Sequence, residues 1–417
     1  MAKTMGQGLC YGLIGDKLSH SHSPALHALL ADYPYELFEM EASVLGTFLQ
    51  REELGGVNVT IPYKKAVLPF CQTASETARR IGSVNTMVRK GGAWHGYNTD
   101  YDGFLRMLSL AAISLTGKKV LILGSGGTSA TAQQAAKDQA ASEVIVVSRK
   151  GEHTYANIQR HSDAQALINT TPVGMSPDIE KSPVSLAHFP HLEAVVDVIY
   201  NPLQTALLRQ AEQRGIRHTN GLPMLVYQAV RASELFTGAS IPEAKAAKAL
   251  QTLRQMVRNI VLIGMPGAGK TVVGKALAAI MQRECIDTDA LIVQKAGMSI
   301  AEIFAKYGEK AFREMESSVV ADVSKKSGVI LTMGGGVVLS QQNIALLRQN
   351  GRLYWLQRPL SQLARKGRPL SIDIEAMYAQ RKPLYQSASD AQMINDGVGV
   401  RETAEKIRED FDENIGH

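Results

Sequence analysis

The stretch "NIVLIGMPGAGKT" (259–271) decides how the second half of the chain is built. An apolar-rich run leads into glycine, four residues, then Gly-Lys-Thr, and "TVVGKALAAIMQ" (271–282) continues as a helical pattern. Strand, glycine loop and helix in that order make a cradle for a triphosphate, a loop that nucleotide kinases and GTPases share. The loop contributes backbone N–H groups from Gly267, Ala268, Gly269, Lys270, Thr271 and Val272. The Lys270 ammonium reaches the β and γ oxygens, and the Thr271 hydroxyl is the expected Mg²⁺ ligand. The loop by itself leaves the phosphoryl acceptor open.

A second glycine turn lies earlier. "KKVLILGSGG" (118–127) is followed by a helical pattern and then by "EVIVVSRK" (143–150). Strand, glycine turn, helix, strand is a dinucleotide-binding unit. Gly124, Ser125, Gly126 and Gly127 would face a pyrophosphate. The second strand ends in Ser148, Arg149 and Lys150 rather than in the acidic residue an NAD ribose prefers. Cations there suit a 2′-phosphate, so NADP(H) is the expected cofactor.

Bulk properties narrow the class. The 417 residues allow two or three domains, with 45% hydrophobic and 20% charged residues. The net charge of +6 suits small anionic substrates or simply a solvated basic surface, and no clustered basic patch points to nucleic acid. Three cysteines without ligand spacing fit a reduced, cytoplasmic protein. The first residues, "MAKTMGQGLCYGLIGDKL", lack the apolar core of a signal peptide, and no run approaches the ~18 residues of a membrane span.

Strand and helix patterns alternate along the chain, which predicts an α/β protein with mainly parallel sheet. "LCYGLIG", "YELFEM" and "GVNVTI" read as strands, "SPALHALLADY" and "SVLGTFLQREEL" as helices, and "VNTMVRKGGAWHGYN" as a hairpin turning at Gly91-Gly92. The expected domains are an N-terminal α/β substrate domain over 1–103 with return helices in 222–257, a Rossmann-like NADP domain over 104–221, and a P-loop NTPase-type α/β domain over 258–417. The last boundary rests on the restart of the pattern, since no linker composition marks it.

Motifs outside the glycine turns carry a resemblance. "HSHSPALH" (20–27), "NVTIPYK" (58–64), "GSVNT" (82–86), "YNTDYDGF" (97–104), "NTTPVGM" (169–175), "DVIYNPLQTALL" (197–208) and "NGLPMLVYQA" (220–229) occur in the order of a shikimate dehydrogenase. Over about 9–257 the chain resembles that family. The resemblance implies that Lys64 polarises a ring ketone and relays a proton, with Asp100 as its partner. It also implies that Ser21 and Ser23 bind the substrate carboxylate, that Thr60, Asn85 and Gln228 hold ring hydroxyls, and that Tyr200 lines the site. Thr170 and Gly221 join the cofactor set. Taken singly, Lys64 reads as surface charge and Asp100 as an N-cap. The sequence departs from the family pattern at Ala28, and by leaving only eighteen residues (151–168) between "SRK" and "NTTPVGM", which implies a trimmed nucleotide domain.

In the back half "IDTDALI" (286–292) puts Asp287 and Asp289 two residues apart, on one side if the segment is extended. Asp287 would support Mg²⁺ through water, and Asp289 would activate an acceptor hydroxyl. With "GMSIAEIFAKYGEKAFREMES", "LTMGGGVV", "KGRPL" and "QRKPLY", residues 258–417 look like shikimate kinase. That resemblance implies that Asp289, Arg313, Gly335 and Arg381 bind shikimate, that Thr332 lies near the metal, that Arg368 is a lid arginine and that Arg365 lies by the adenine. "LARKGRPLSIDIEAMYAQRKPLY" is a tighter lid than the family pattern. Arg313 and Glu316 also fit a plain surface pair.

The two resemblances imply NADPH-dependent reduction of 3-dehydroshikimate to shikimate and ATP-dependent phosphorylation of shikimate. The rivals are quinate reduction with NAD, or a quinate/shikimate dehydrogenase joined to a kinase-like regulatory or binding module. The expected partners are small molecules, with neither nucleic acid nor membrane, in a monomer or homodimer.

Overall fold

The computed structural model describes residues 9–19, 21–363, 374–395 and 399–414, and they form two compact units. The first holds two sheets. One runs in the order β2 (Tyr35–Glu39), β1 (Cys10–Gly15), β3 (Leu54–Val59), β5 (Thr86–Lys90), β6 (Ala93–Tyr97), β4 (Cys71–Ala74). Its β5–β6 hairpin turns at Gly91 and Gly92, whose φ values of 57° and 82° are the left-handed pair such a tight turn needs. The pairs β1–β2, β1–β3 and β4–β6 are parallel. The stretch "SVLGTFLQREEL" is not one helix. A 3-10 turn (Ala42–Val44) and a single helical turn (Leu45–Phe48) use it up, and Leu54 already begins β3. Leu45, Leu49 and Leu54 supply the apolar contacts, all buried in the core below this sheet.

The second sheet is wholly parallel, in the order β11 (Arg217–Thr219), β10 (Ala194–Asp197), β9 (Ala166–Asn169), β7 (Lys119–Leu123), β8 (Glu143–Val147). Val120 and Ile122 pack into one core and Leu121 and Leu123 into another, so β7 is buried on both faces. That is why its sequence is an unbroken apolar run. Between β8 and β9 there is only a 3-10 turn (Ile158–His161), as the eighteen-residue spacing required, and β8 remains the sheet edge.

The second unit carries a five-stranded parallel sheet in the order β13 (Cys285–Asp287), β14 (Ile330–Thr332), β12 (Asn259–Ile263), β15 (Gly351–Gln357), β16 (Ala391–Ile394). Its membership departs from the expected boundary at 257/258. It starts at Arg254, inside the helix Glu243–Val257, and also includes residues 174–181 and 201–206. The physical reason is burial. Ile179 is 1% exposed within this unit's apolar core, and Gln349 Nε2 donates to its carbonyl at 2.8 Å. Gln204 N donates to Gln349 O at 2.9 Å, and Ser176 Oγ to Lys325 O at 3.3 Å. Among the described residues no helix is long and apolar enough to cross a membrane.

Candidate active sites

In the first unit the loops that follow β1 and β3 and the helix Thr99–Leu110 meet around a cavity of about 600 Å³. Asn98 caps that helix by accepting from Tyr101 N at 3.2 Å, which leaves Asp100 in the first turn rather than at the cap. Lys64 Nζ donates to Asp100 Oδ2 at 2.5 Å, both side chains half-buried, so the pair is a feature of the cavity and not of the open surface. Ser21, Ser23, Thr60, Asn85, Tyr200 and Gln228 line the same space. Ser21 Oγ donates to Ser23 Oγ at 3.1 Å. Thr99 anchors the Asn85 amide on both sides, its N donating to Oδ1 at 2.6 Å and its Oγ1 accepting from Nδ2 at 3.0 Å. Burial raises the Tyr200 phenol above its usual range.

The nucleotide side fits a pyrophosphate. The helix Gly127–Asp138 starts at Gly126 with no side-chain cap, and nothing stands within 4 Å of where a Gly126 or Gly127 side chain would be. Unpaired N–H groups facing open space are what a pyrophosphate takes up. Ser125, Gly126 and Gly127 border a small hollow of about 220 Å³ with Lys65 and Ser83. Thr170 Oγ1 donates to Leu123 O at 2.6 Å, holding the loop after β9 against the Gly124 turn. Gly221 lines the substrate cavity. Arg149 and Lys150 are exposed beyond β8, and Ser148 Oγ donates to Lys150 O.

In the second unit a cavity of about 540 Å³ lies at the carboxyl ends of β12, β13 and β14. Gly267, Gly269, Lys270, Thr271 and Val272 line one end of it. Ala268 does not line it. It is fully buried, and its carbonyl accepts from Asn395 Nδ2 at 2.7 Å. The helix Lys270–Met281 also begins without a side-chain cap, and Lys270 Nζ donates to the carbonyls of Gly264 and Met265 at 2.8 and 3.0 Å. Thr271 Oγ1 and Thr332 Oγ1 donate to the same oxygen of Asp287, at 2.6 and 2.9 Å. This set of hard oxygen atoms beside a phosphate loop suits Mg²⁺, which keeps much of its water and takes one or two carboxylates.

The segment holding Asp287 and Asp289 is a strand–helix corner, not an extended strip. Asp287 caps the helix Thr288–Ala296 by accepting from Ala290 N at 3.1 Å, and Asp289 sits in its first turn. Both carboxylates still line the cavity, because the turn carries them around the same corner. Arg313 and Glu316 are no surface pair either. Arg313 Nη1 donates to Glu316 Oε2 at 2.8 Å, and Glu316 is 2% exposed. Burial raises the Glu316 pKa, and the Arg313 guanidinium opposes that rise. Burial also works against the Arg313 charge, but Glu316 and Glu309 more than offset it and hold its pKa above the ordinary value. Arg381 Nη1 and Tyr385 Oη donate to Gly335 O at 3.2 and 2.5 Å. The triple glycine is a close approach. A side chain on Gly334 would come within 2.8 Å of Asp289 Oδ1 and Glu316 Oε1, and one on Gly336 within 2.5 Å of the Arg313 guanidinium.

Comparison with known proteins follows this division. Family models match as shikimate dehydrogenase substrate binding domain over 13–87, shikimate 5′-dehydrogenase C-terminal domain over 221–251, and shikimate kinase over 266–412. A shikimate dehydrogenase (NADP(+)) of Clostridium perfringens is 35% identical over 255 residues, which span 56% of this chain and 94% of the relative. The chain belongs to the shikimate dehydrogenase family. Its second half carries a shikimate kinase domain, so this dehydrogenase is a fusion that joins an oxidoreductase to a phosphotransferase. Two solved shikimate dehydrogenases are also similar. A chorismate mutase/shikimate 5-dehydrogenase fusion protein from Clostridium acetobutylicum has a TM-score of 0.57 at 35% identity, covering 60% of this chain and 98% of its own. Shikimate 5-dehydrogenase from Thermus thermophilus, in complex with NADP(H) and shikimate, has 0.53 at 33%, covering 58% and 99%.

Arg365 and Arg368 lie outside the described residues. Some cavity residues carry no mark in the sequence reading of this fused dehydrogenase: Asn58 in the first unit, and Phe304, Phe312 and Arg358 in the second. Asn58 accepts from Tyr35 Oη at 2.8 Å and donates to Thr86 Oγ1 at 2.9 Å. Its signal was present, two residues before Thr60. The aromatic pair, with ring centroids 4.7 Å apart, reads only as helix core in the sequence.

Proposed function

We propose that the first unit reduces 3-dehydroshikimate to shikimate with NADPH and that the second transfers the terminal phosphoryl of ATP to the shikimate 3-hydroxyl. The Lys64–Asp100 contact inside a cavity of hydroxyl and amide side chains carries the first part. Gly124, Ser125, Gly126 and Gly127 would hold NADPH with Arg149 toward its 2′-phosphate, and the cofactor would supply the hydride. Lys64 donates a hydrogen bond to the ketone oxygen and delivers its proton, and Asp100 orients the ammonium. Ser21 and Ser23 hold the carboxylate while Thr60, Asn85, Gln228 and Tyr200 orient the ring.

In the second unit Asp289 accepts the proton of the 3-hydroxyl, whose oxygen attacks the γ phosphorus as the bond to the β-phosphate oxygen breaks. Arg313 and Arg381 clamp the carboxylate, and Gly335 approaches the ring. Mg²⁺ bound at Thr271 and, through water, at Asp287 would neutralise phosphate charge. Phe304 and Phe312 close the apolar side. The test supplies the pure chain with 3-dehydroshikimate, NADPH and Mg-ATP. NADPH loss followed by ADP release is expected. ADP release with added shikimate but no NADPH loss would leave only the second half standing.

A further inference from the structure

Arg358 comes directly after β15, the strand hydrogen-bonded beside β12. Their parallel register pairs Ile263 with Trp355, so the two strands end nearly level and Arg358 emerges beside the phosphate loop that follows β12. Ligands of parallel sheets sit in this crevice beyond the carboxyl ends of the strands. Arg358 lines the cavity, and its Nη1 lies 3.4 Å from Gly267 O. Its Nε is shut away from solvent with no hydrogen-bond partner.

The two other arginines of the cavity already hold protein groups. Arg313 is taken by Glu309 and Glu316, and Arg381 by Gly335 O. Among the described residues Arg358 has no carboxylate within ion-pair distance and only the long contact to one carbonyl. A phosphate oxygen is a far better acceptor, at 2.7–2.9 Å with charge assistance. Its position along the loop also selects which phosphate. Pro266 packs on Gly335, the residue that Arg381 and Tyr385 hold on the acceptor side, so the Pro266–Gly267 end of the loop faces the acceptor. The phosphoryl that moves must lie at that end.

We propose that Arg358 is a catalytic residue of the phosphoryl transfer, its guanidinium meeting the terminal phosphate of bound ATP as charge spreads over that group's oxygens. This rests on the kinase reading of the second unit. An arginine supplied from within the chain at this point strengthens its bonds in the transition state and leaves ADP binding nearly untouched.

The experiment compares the wild-type full chain with Arg358→Gln and Arg358→Lys. It measures kinase kcat, the KM for shikimate and ATP, and ADP affinity by calorimetry, with the NADPH-linked rate and thermal melting as controls of folding. Arg358→Gln should lower kcat by ~10²-fold or more, with ADP affinity within about threefold of wild type. Arg358→Lys should recover part of the loss. A kcat within about threefold of wild type overturns the proposal, as does an equal loss of ATP and ADP affinity at unchanged kcat. Should Arg358→Gln fail to fold, Arg358→Lys decides, because a point charge cannot reproduce the guanidinium fork and must fall short of wild-type kcat. A wild-type chain that does not phosphorylate shikimate overturns the kinase reading itself, whereas an active wild type beside an equally active Arg358→Gln overturns only the role of Arg358.

Discussion

Lys64 Nζ and Asp100 Oδ2 meet at 2.5 Å although 36 residues separate them. The turn after β3 and the first turn of the helix Thr99–Leu110 bring them together, and neither element explains the contact alone. Lys64→Ala should lower the NADPH-linked rate by ~10²–10⁴-fold, the usual worth of a positioned proton donor, while ADP formation from added shikimate stays within about twofold. Stopped-time assays of both reactions on one preparation check this. An unchanged reductase rate would remove Lys64 from the chemistry.

Asp287 accepts from both Thr271 and Thr332, and the proposed Mg²⁺ site uses this carboxylate through water. Asp287→Asn keeps the shape and removes the charge. The expected result is a kinase that needs at least tenfold more Mg²⁺ for half-maximal rate, read from a Mg²⁺ titration at fixed ATP. Lys270→Ala should abolish phosphorylation at any Mg²⁺ concentration.

Arg149 stands exposed beyond β8 and makes no carboxylate pair among the described residues. A charge-assisted bond to a 2′-phosphate is worth about 1.5–3 kcal/mol, or roughly 10–150-fold. Arg149→Ala should raise the KM for NADPH by that order and leave the KM for NADH within about threefold. Equal losses for both cofactors would place the 2′-phosphate elsewhere.

Burial beneath the first site drives the His27 pKa from an ordinary 6.5 down to about 3, partly opposed by a hydrogen bond with Asn58. The unfolded chain binds that proton below about pH 6.5 and the folded chain only near 3. The contribution is therefore intact above pH 6.5 and is lost as pH falls toward 3, at up to ~1.4 kcal/mol per pH unit. His27→Gln should flatten the fall in stability between pH 6.5 and 4, measured by urea unfolding of the first unit. An unchanged slope would assign the acid sensitivity to other groups.

Ile179 belongs to the core of the second unit although 75 positions of sequence, 179 to 254, separate it from that unit's main segment. Ile179→Ala should destabilise that unit by about 2–5 kcal/mol, the range for emptying a buried aliphatic site. The readout is a lower melting temperature for the transition that Mg-ATP raises. No change in that transition would show the turn to be dispensable.

Local order was legible wherever one interaction range sets it. The apolar run of β7, the Gly91-Gly92 turn, and both glycine loops with their following helices are specified by neighbours within about ten residues. The helical reading of "SVLGTFLQREEL" failed because its leucines are buried by the sheet above them, not by a helical stripe. Asp287 and Asp289 line one cavity on a different backbone from the expected strip, since a cap at the strand–helix corner and an extended strip both present them to one side.

The sequence by itself determined the two α/β halves, their phosphate loops and most of the polar residues around each cavity, because such motifs tie chemistry to fixed local geometry. Only the tertiary structure decided that Glu316 is buried against Arg313, that Arg358 emerges at the phosphate loop, and that the turns at 174–181 and 201–206 complete the second unit. Those facts depend on strand register and on burial between distant segments, and neither leaves a periodic mark on the local sequence.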